Sequence, residues 1–317
     1  MVITCPACRR DHILGDNAIP RGIKKVRCSF CHQSFNLPSS VDGPLSPDAA
    51  PDTKKPYKFG IAISKGGVGK TTTSVNLAAG LACNGKKVLL IDADTQGQDA
   101  FHLGVCPEFG LADFITGKTK WAQSLCMARK NLWLLAGGRN LAAMKQFIDR
   151  QDFGGENTLV HKLGAFGHHF DYVIVDTAPG WDSLTINVLF YVNEILIPVS
   201  LEAMTLQGMS QFMESLERIK VYRKSVSLRY ILPTFYDFRV QNAPEILEKL
   251  SEIYGDKLCA PVRCNVSLSE APAFGKTIYE YAPGSNGAKD YRLLSERILL
   301  DHEEQRYTDV VGQSHKC

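Results

Sequence analysis

The segment 59–76, FGIAISKGGVGKTTTSVN, leaves a chain few ways to fold. A short apolar run ends in a glycine-rich turn, and the turn feeds directly into a helix-forming stretch that begins near Lys70. Glycines are needed where backbone N–H groups must close on an anion, and the helix N-terminus aims its dipole at the same point. Strand, loop and helix together make a phosphate cradle, built here from Lys65, Gly66, Gly67, Val68, Gly69, Lys70, Thr71 and Thr72. In it Lys70 neutralises the β- and γ-phosphates and the Thr71 hydroxyl ligates Mg2+.

From Tyr57 onward short β-branched runs alternate with longer helical patterns, which predicts an α/β fold with a mostly parallel twisted sheet and helices on both faces. Strands are expected over 58–63, 87–92, 131–135, 171–176, 194–199, 228–233 and 258–262. Helices are expected over 70–83, 138–150, 157–166, 183–192, 205–221, 241–254 and 287–300. The domain reading is a Cys-bearing module over 1–38, a flexible linker over 39–56 rich in Pro, Ser and Asp, a large α/β domain over 57–305 and a polar, frayed tail over 306–317. An apolar share of 44% with 22% charged residues excludes a chain that is mainly disordered or mainly membrane-embedded. The chain has no apolar run of about 18 residues and no signal-peptide pattern, so a cytoplasmic location is expected.

The module over 1–38 carries its own chemistry. Cys5, Cys8, Cys28 and Cys31 form two CxxC turns separated by 19 residues, a spacing that sets four thiolates at the corners of a tetrahedron. So short a segment buries too little apolar surface to fold without a staple, and Zn2+ is the expected ion, with iron the alternative. A site filled by four protein ligands is structural. The six other cysteines are scattered, as free thiols in a reducing compartment would be; Cys259 and Cys264 are expected to be buried structural thiols, with a second pair the alternative. Charge is just as uneven: 1–38 holds six Lys or Arg against two Asp, net +4, and the remainder holds 30 basic against 31 acidic residues. The module resembles the small zinc ribbons found at the N-termini of various bacterial proteins.

Two further strands end in carboxylates. Residues 88–100 read VLLIDADTQGQDA, and residues 171–176 read DYVIVD. Acids at the carboxyl ends of parallel strands beside a phosphate loop point into the ligand crevice. The second strand fits the requirement for a buried strand that delivers Asp176 towards Mg2+. Asp92 and Asp94 could alternatively serve as plain strand-end caps.

Ser64 stands where a general phosphate loop has its first glycine, and Lys65 precedes the glycines. This KGGVGKTT resembles the deviant loop of the ParA/MinD family, and the resemblance extends over residues 57–300 through EILIPVSLEAMTLQG (194–208), ILPTFYDFR (231–239) and VRCNVSLSEAPAFGKTIYEYAPGSNGA (262–288). It implies a P-loop ATPase using ATP and Mg2+. It also implies that Lys65 crosses an ATP-sandwiched homodimer to the partner's phosphates, that Asp94 positions the attacking water, and that Thr71, Asp92 and Asp176 serve Mg2+. Lys65, Lys70 and Asp94 are then the catalytic set. Thr95 and Ala178 stand where the family usually has proline.

Family members bind DNA non-specifically through basic residues of the C-terminal part, which points to Arg239, Arg263 and Lys276. Ser267, Gly284 and Asn286 replace residues often basic, so the basic ribbon either compensates or binds a protein. The expected function is ATP-driven partitioning or positioning of DNA or a protein cargo on the nucleoid, with slow hydrolysis stimulated by a partner protein. The competing reading is an ATP-gated interaction module that recruits a partner through its ribbon and hydrolyses little. Asp301, Glu303 and Glu304 near the C-terminus argue against a membrane-binding helix.

Overall fold

The computed structural model describes residues 2–4, 11–13, 25–27, 31, 34–36 and 55–314, with the backbone alone for 2–4, 11–13, 25–27, 35–36, 203–205 and 309–314. The chain divides into two compact units, Met1–Pro51 and Asp52–Cys317. In the first, β1 (Val2–Thr4) pairs antiparallel with β2 (Asp11–Ile13), and β3 (Lys25–Arg27) pairs antiparallel with β4 (Ser34–Asn36). Of the four expected metal ligands, Cys31 is described and is half-buried, while Cys5, Cys8 and Cys28 lie outside the described residues. The expected linker over 39–56 lies outside them as well, except for its last two residues.

The second unit is built on a seven-stranded sheet. Its strands are β5 (Tyr57–Ile61), β6 (Val88–Ala93), β7 (Leu125–Arg129), β8 (Leu132–Leu135), β9 (Tyr172–Thr177), β10 (Glu194–Ser200) and β11 (Ser227–Thr234). Their order across the sheet is β11-β10-β5-β9-β6-β8-β7, and every pairing is parallel except the antiparallel edge pair of β7 with β8. Strands β6 and β9 are buried along their whole length, which is why they read as continuous apolar runs instead of alternating ones.

Among the described residues, twelve α-helices connect and cover the strands: α1 (Lys70–Cys83), α2 (Gln98–Leu103), α3 (Leu111–Ile115), α4 (Trp121–Ser124), α5 (Leu141–Asp149), α6 (Thr158–Leu163), α7 (Ser183–Tyr191), α8 (Ala203–Tyr222), α9 (Ala243–Tyr254), α10 (Val266–Glu270), α11 (Ile278–Tyr281) and α12 (Asn286–Ser314). Helix α1 packs along α12, where the Thr73 and Tyr291 hydroxyls meet at 3.0 Å within the buried core. No helix among the described residues is long and apolar enough to cross a membrane.

Two expected elements need correction, and one strand is added. Residues 258–262 form no strand. They run beside β11 with a bridge at Leu258 and bonds from Cys259 N–H to Ile231 O and Val262 N–H to Pro233 O, and Pro261 has no N–H to continue a ladder. The edge strand β7 had no counterpart in the sequence reading. Helix α12 runs past its expected end at 300 and through much of the tail expected to fray over 306–317, as far as Ser314. Anchoring side chains hold that extension: His302 lies flat on Tyr57 at 3.6 Å between ring centroids and meets Glu194 at 3.1 Å, while Tyr230 donates to Asp301 at 2.8 Å.

Candidate nucleotide and metal site

Strand β5 ends at the glycine-rich loop, and the loop turns into α1 through two left-handed residues, Gly67 at φ +74° and Gly69 at φ +85°. Residues with a Cβ rarely adopt this conformation, so the sequence needs glycine at both places. A Cβ at Gly69 would only touch the Phe235 ring at 3.4 Å, so the backbone conformation and not space sets the requirement there. The loop is tied to β11 by the Thr234 hydroxyl, which donates to Val68 O at 2.9 Å. Gly66 and Gly67 are exposed, leaving the cradle open to a ligand, while Val68 is buried beneath it.

Lys70 is 7% exposed and its Nζ donates to Lys65 O at 2.8 Å, so the ammonium closes the loop on itself. Burial lowers its pKa, opposed by the charges of Asp176 and Asp94. Lys65 is oriented differently: its Nζ forms an ion pair with Glu202 Oε2 at 3.0 Å, at the start of α8.

The register between β6 and β9 sets Asp92 opposite Asp176. Asp176 accepts from the Thr71 hydroxyl at 2.8 Å on one oxygen and from the Ser74 hydroxyl at 2.8 Å on the other. Asp92 accepts backbone N–H bonds from Asp94 at 2.9 Å and Asp99 at 3.2 Å. The loop after β8 covers Asp92 so closely that a Cβ at Gly137 would sit 2.5 Å from its carboxylate oxygen. Asp94 is half-buried; its Oδ1 accepts from Gln96 N–H at 2.9 Å, and its carbonyl accepts from Gly97 at 3.0 Å and Gly138 at 3.1 Å. The structure thus brings Lys70, Thr71, Asp92, Asp94 and Asp176 to one crevice at the carboxyl ends of β5, β6 and β9.

Sequence reasoning missed Asp99. It sits in the first turn of α2, where an acid reads as a partner for the helix dipole. Instead its side chain is fully buried, and one oxygen each from Asp92, Asp99 and Asp176 lie within 4.8 Å of one another. The available signal was the repetition of acids at 92, 94 and 99 after one strand. Burial and the charge of Asp176 push Asp92 up to about 8 against the pull of its two N–H bonds. Burial likewise raises Asp176, to about 6, although the Thr71 and Ser74 hydroxyls and Lys70 oppose it. Asp99, buried and facing Asp92 and Asp176, is held well above the carboxylate range. Clustered anions at this cost, all with hard oxygen donors, fit a divalent cation beside a phosphate cradle.

The three candidate DNA contacts are less uniform. The Arg239 guanidinium is 76% exposed and chelates Asp237, with Nη2 to Oδ2 at 2.6 Å. Arg263 makes a two-pronged pair with the buried Asp290, at 2.6 and 3.0 Å. Lys276 is exposed beside Gly275. Two of the three cations therefore already face a carboxylate of their own chain. Cys259 is buried as expected, whereas Cys264 is exposed, so the pair is not a shared buried feature.

Comparison with known proteins sets this geometry in context. An AAA-domain family model matches residues 58–228, and a zinc-ribbon-domain model matches residues 1–36. The chromosome-partitioning ATPase Soj of Thermus thermophilus is 34% identical over 252 residues, covering 79% of this chain and 98% of that protein. The sporulation initiation inhibitor protein Soj of Bacillus subtilis is 33% identical over 256 residues, covering 76% and 97%. Among solved structures, cobyrinic acid a,c-diamide synthase from Mycobacterium smegmatis with a bound ATP analogue and magnesium superposes with a TM-score of 0.66 at 26% identity, covering 77% of this chain and 94% of that one.

Proposed function

We propose, because the chain belongs to the ParA/Soj family of chromosome-partitioning ATPases, that its ATP state governs a homodimer on nucleoid DNA and that hydrolysis, stimulated by a partner protein, resets it. The observation that supports this reading most strongly is the joining of the glycine loop to the acidic strand ends through one residue. Thr71 follows the loop directly, in the first turn of α1, and donates to Asp176 at 2.8 Å.

In this mechanism the N–H groups of the loop and the N-terminus of α1 receive the phosphates, and Lys70 offsets the charge that grows on the β–γ bridge as the terminal phosphoryl group leaves. Thr71, Asp92 and Asp176 hold Mg2+, which when bound neutralises phosphate oxygens. Asp94, anchored through its backbone to the Gly97 and Gly138 amides, orients the attacking water. Lys65 leaves Glu202 and reaches the phosphates bound by the second protomer, so dimer closure and catalytic competence coincide. Zinc held by Cys5, Cys8, Cys28 and Cys31 staples the domain over 1–38, which the segment 39–56 tethers to the ATPase domain of 57–305.

DNA contact falls to Lys276, with Arg239 and Arg263 exchanging their carboxylates for phosphates, and the basic ribbon supplies additional charge. Cargo is then moved or positioned because hydrolysis releases a surface-bound state. The test is phosphate release under Mg-ATP with DNA and a candidate partner. The intact protein turns over and Asp94→Ala does not, whereas equal release from both under every condition would leave only an ATP-gated interaction module.

A further inference from the structure

We propose that Asp99 is a direct ligand of the divalent cation, and that Asp92, Asp99 and Asp176 together hold this cation before nucleotide arrives. The argument begins with six carboxylate oxygens. Both of Asp176's accept hydroxyl protons from Thr71 and Ser74, and both of Asp92's accept backbone N–H bonds. Both of Asp99's are buried and accept no hydrogen bond. A carboxylate stripped of water and of donors is among the costliest groups a protein can bury. Side chains this acidic persist in such a place when a cation completes them.

Geometry agrees. Three oxygens no more than 4.8 Å apart always share a point within about 2.8 Å of each, whereas Mg2+ takes oxygens at ~2.1 Å and Ca2+ at about 2.3–2.6 Å. Side-chain shifts of at most about 0.7 Å for Mg2+, and about 0.2–0.5 Å for Ca2+, therefore bring all three onto one ion. The site also has a floor and a mouth. Gly137 lies against Asp92 with no room for a Cβ, and half-buried Thr71 marks the opening towards the phosphate loop. Three carboxylates facing one divalent ion leave a net negative site, with the Lys70 ammonium close enough for its charge to act on Asp176. A site of this composition takes up a divalent cation without phosphate oxygens to help.

The inference rests on reading this crevice as the metal site of the ATPase, and the experiment separates the two. Full-length, nucleotide-free protein is titrated with Mn2+ and the free ion is followed by electron paramagnetic resonance. Wild type binds one Mn2+ per chain, displaceable by Mg2+, and Asp99→Asn and Asp99→Ala each weaken this at least tenfold while keeping the far-ultraviolet circular dichroism of wild type. Both variants should fold, since each removes charge repulsion from the core. Absence of nucleotide-free Mn2+ binding in wild type, or binding by either folded variant as tight as wild type, overturns the role of Asp99. Binding of a fluorescent ATP analogue to wild type is measured in parallel, and its absence would overturn the nucleotide site instead.

Discussion

Lys65 has to release Glu202 before it can serve a second protomer, and the cost of that release can be worked out. The pair is 3.0 Å long with side chains 30% and 67% exposed, so it belongs with surface ion pairs, worth ~0.2–1 kcal/mol each. A two-fold symmetric dimer breaks it twice. Glu202→Gln therefore tightens the ATP-bound dimer by about 0.4–2 kcal/mol, or roughly twofold to thirtyfold in the dimer dissociation constant. The assay is sedimentation equilibrium in Mg-ATP on an Asp94→Ala background, so that hydrolysis does not erode the dimer. The gain should shrink at high salt, where exposed charges are screened. A dimer that Glu202→Gln leaves unchanged or weakens would refute the reasoning, because Glu202 would then be holding Lys65 in its working position.

Burial lowers the His102 pKa to about 4. The folded protein keeps this ring neutral while the unfolded chain takes up a proton below about 6.5, so stability falls as pH drops from 6.5 towards 4. Chemical denaturation should show His102→Gln flattening that loss by ~2–3 kcal/mol relative to wild type. Arg129 donates to Leu103 O, Gly275 O and both oxygens of Glu280, joining the end of α2 to the loop bearing Lys276. Arg129→Ala leaves those acceptors unmet and should cost ~1–3 kcal/mol in thermal or urea unfolding. Natively purified protein should carry one zinc per chain by elemental analysis, and Cys31→Ser should lower that content.

What the sequence made legible followed from burial. The runs VLLIDA and YVIVDT are enclosed on both faces, so apolar composition alone marks them, and their terminal acids stand out against it. Edge elements lack that signature. In β7 the side chain of Met127 is 64% exposed and no alternation survives, while 258–262 has a strand's composition but a proline that breaks the ladder. The end of α12 is polar in sequence and helical in the structure because its anchors, Tyr57, Glu194 and Tyr230, lie about 70 to 245 residues away in the chain. Asp99 escaped notice for the same reason. One acid in a helix's first turn looks ordinary until the register of β6 and β9 puts two more beside it.

The most direct test of an ATP-governed surface state is co-sedimentation of the Asp94→Ala protein with non-specific duplex DNA. With Mg-ATP the protein should pellet with DNA, release as salt rises, and stay in solution with Mg-ADP. Equal pelleting in ATP and ADP, or none in either, would contradict the account.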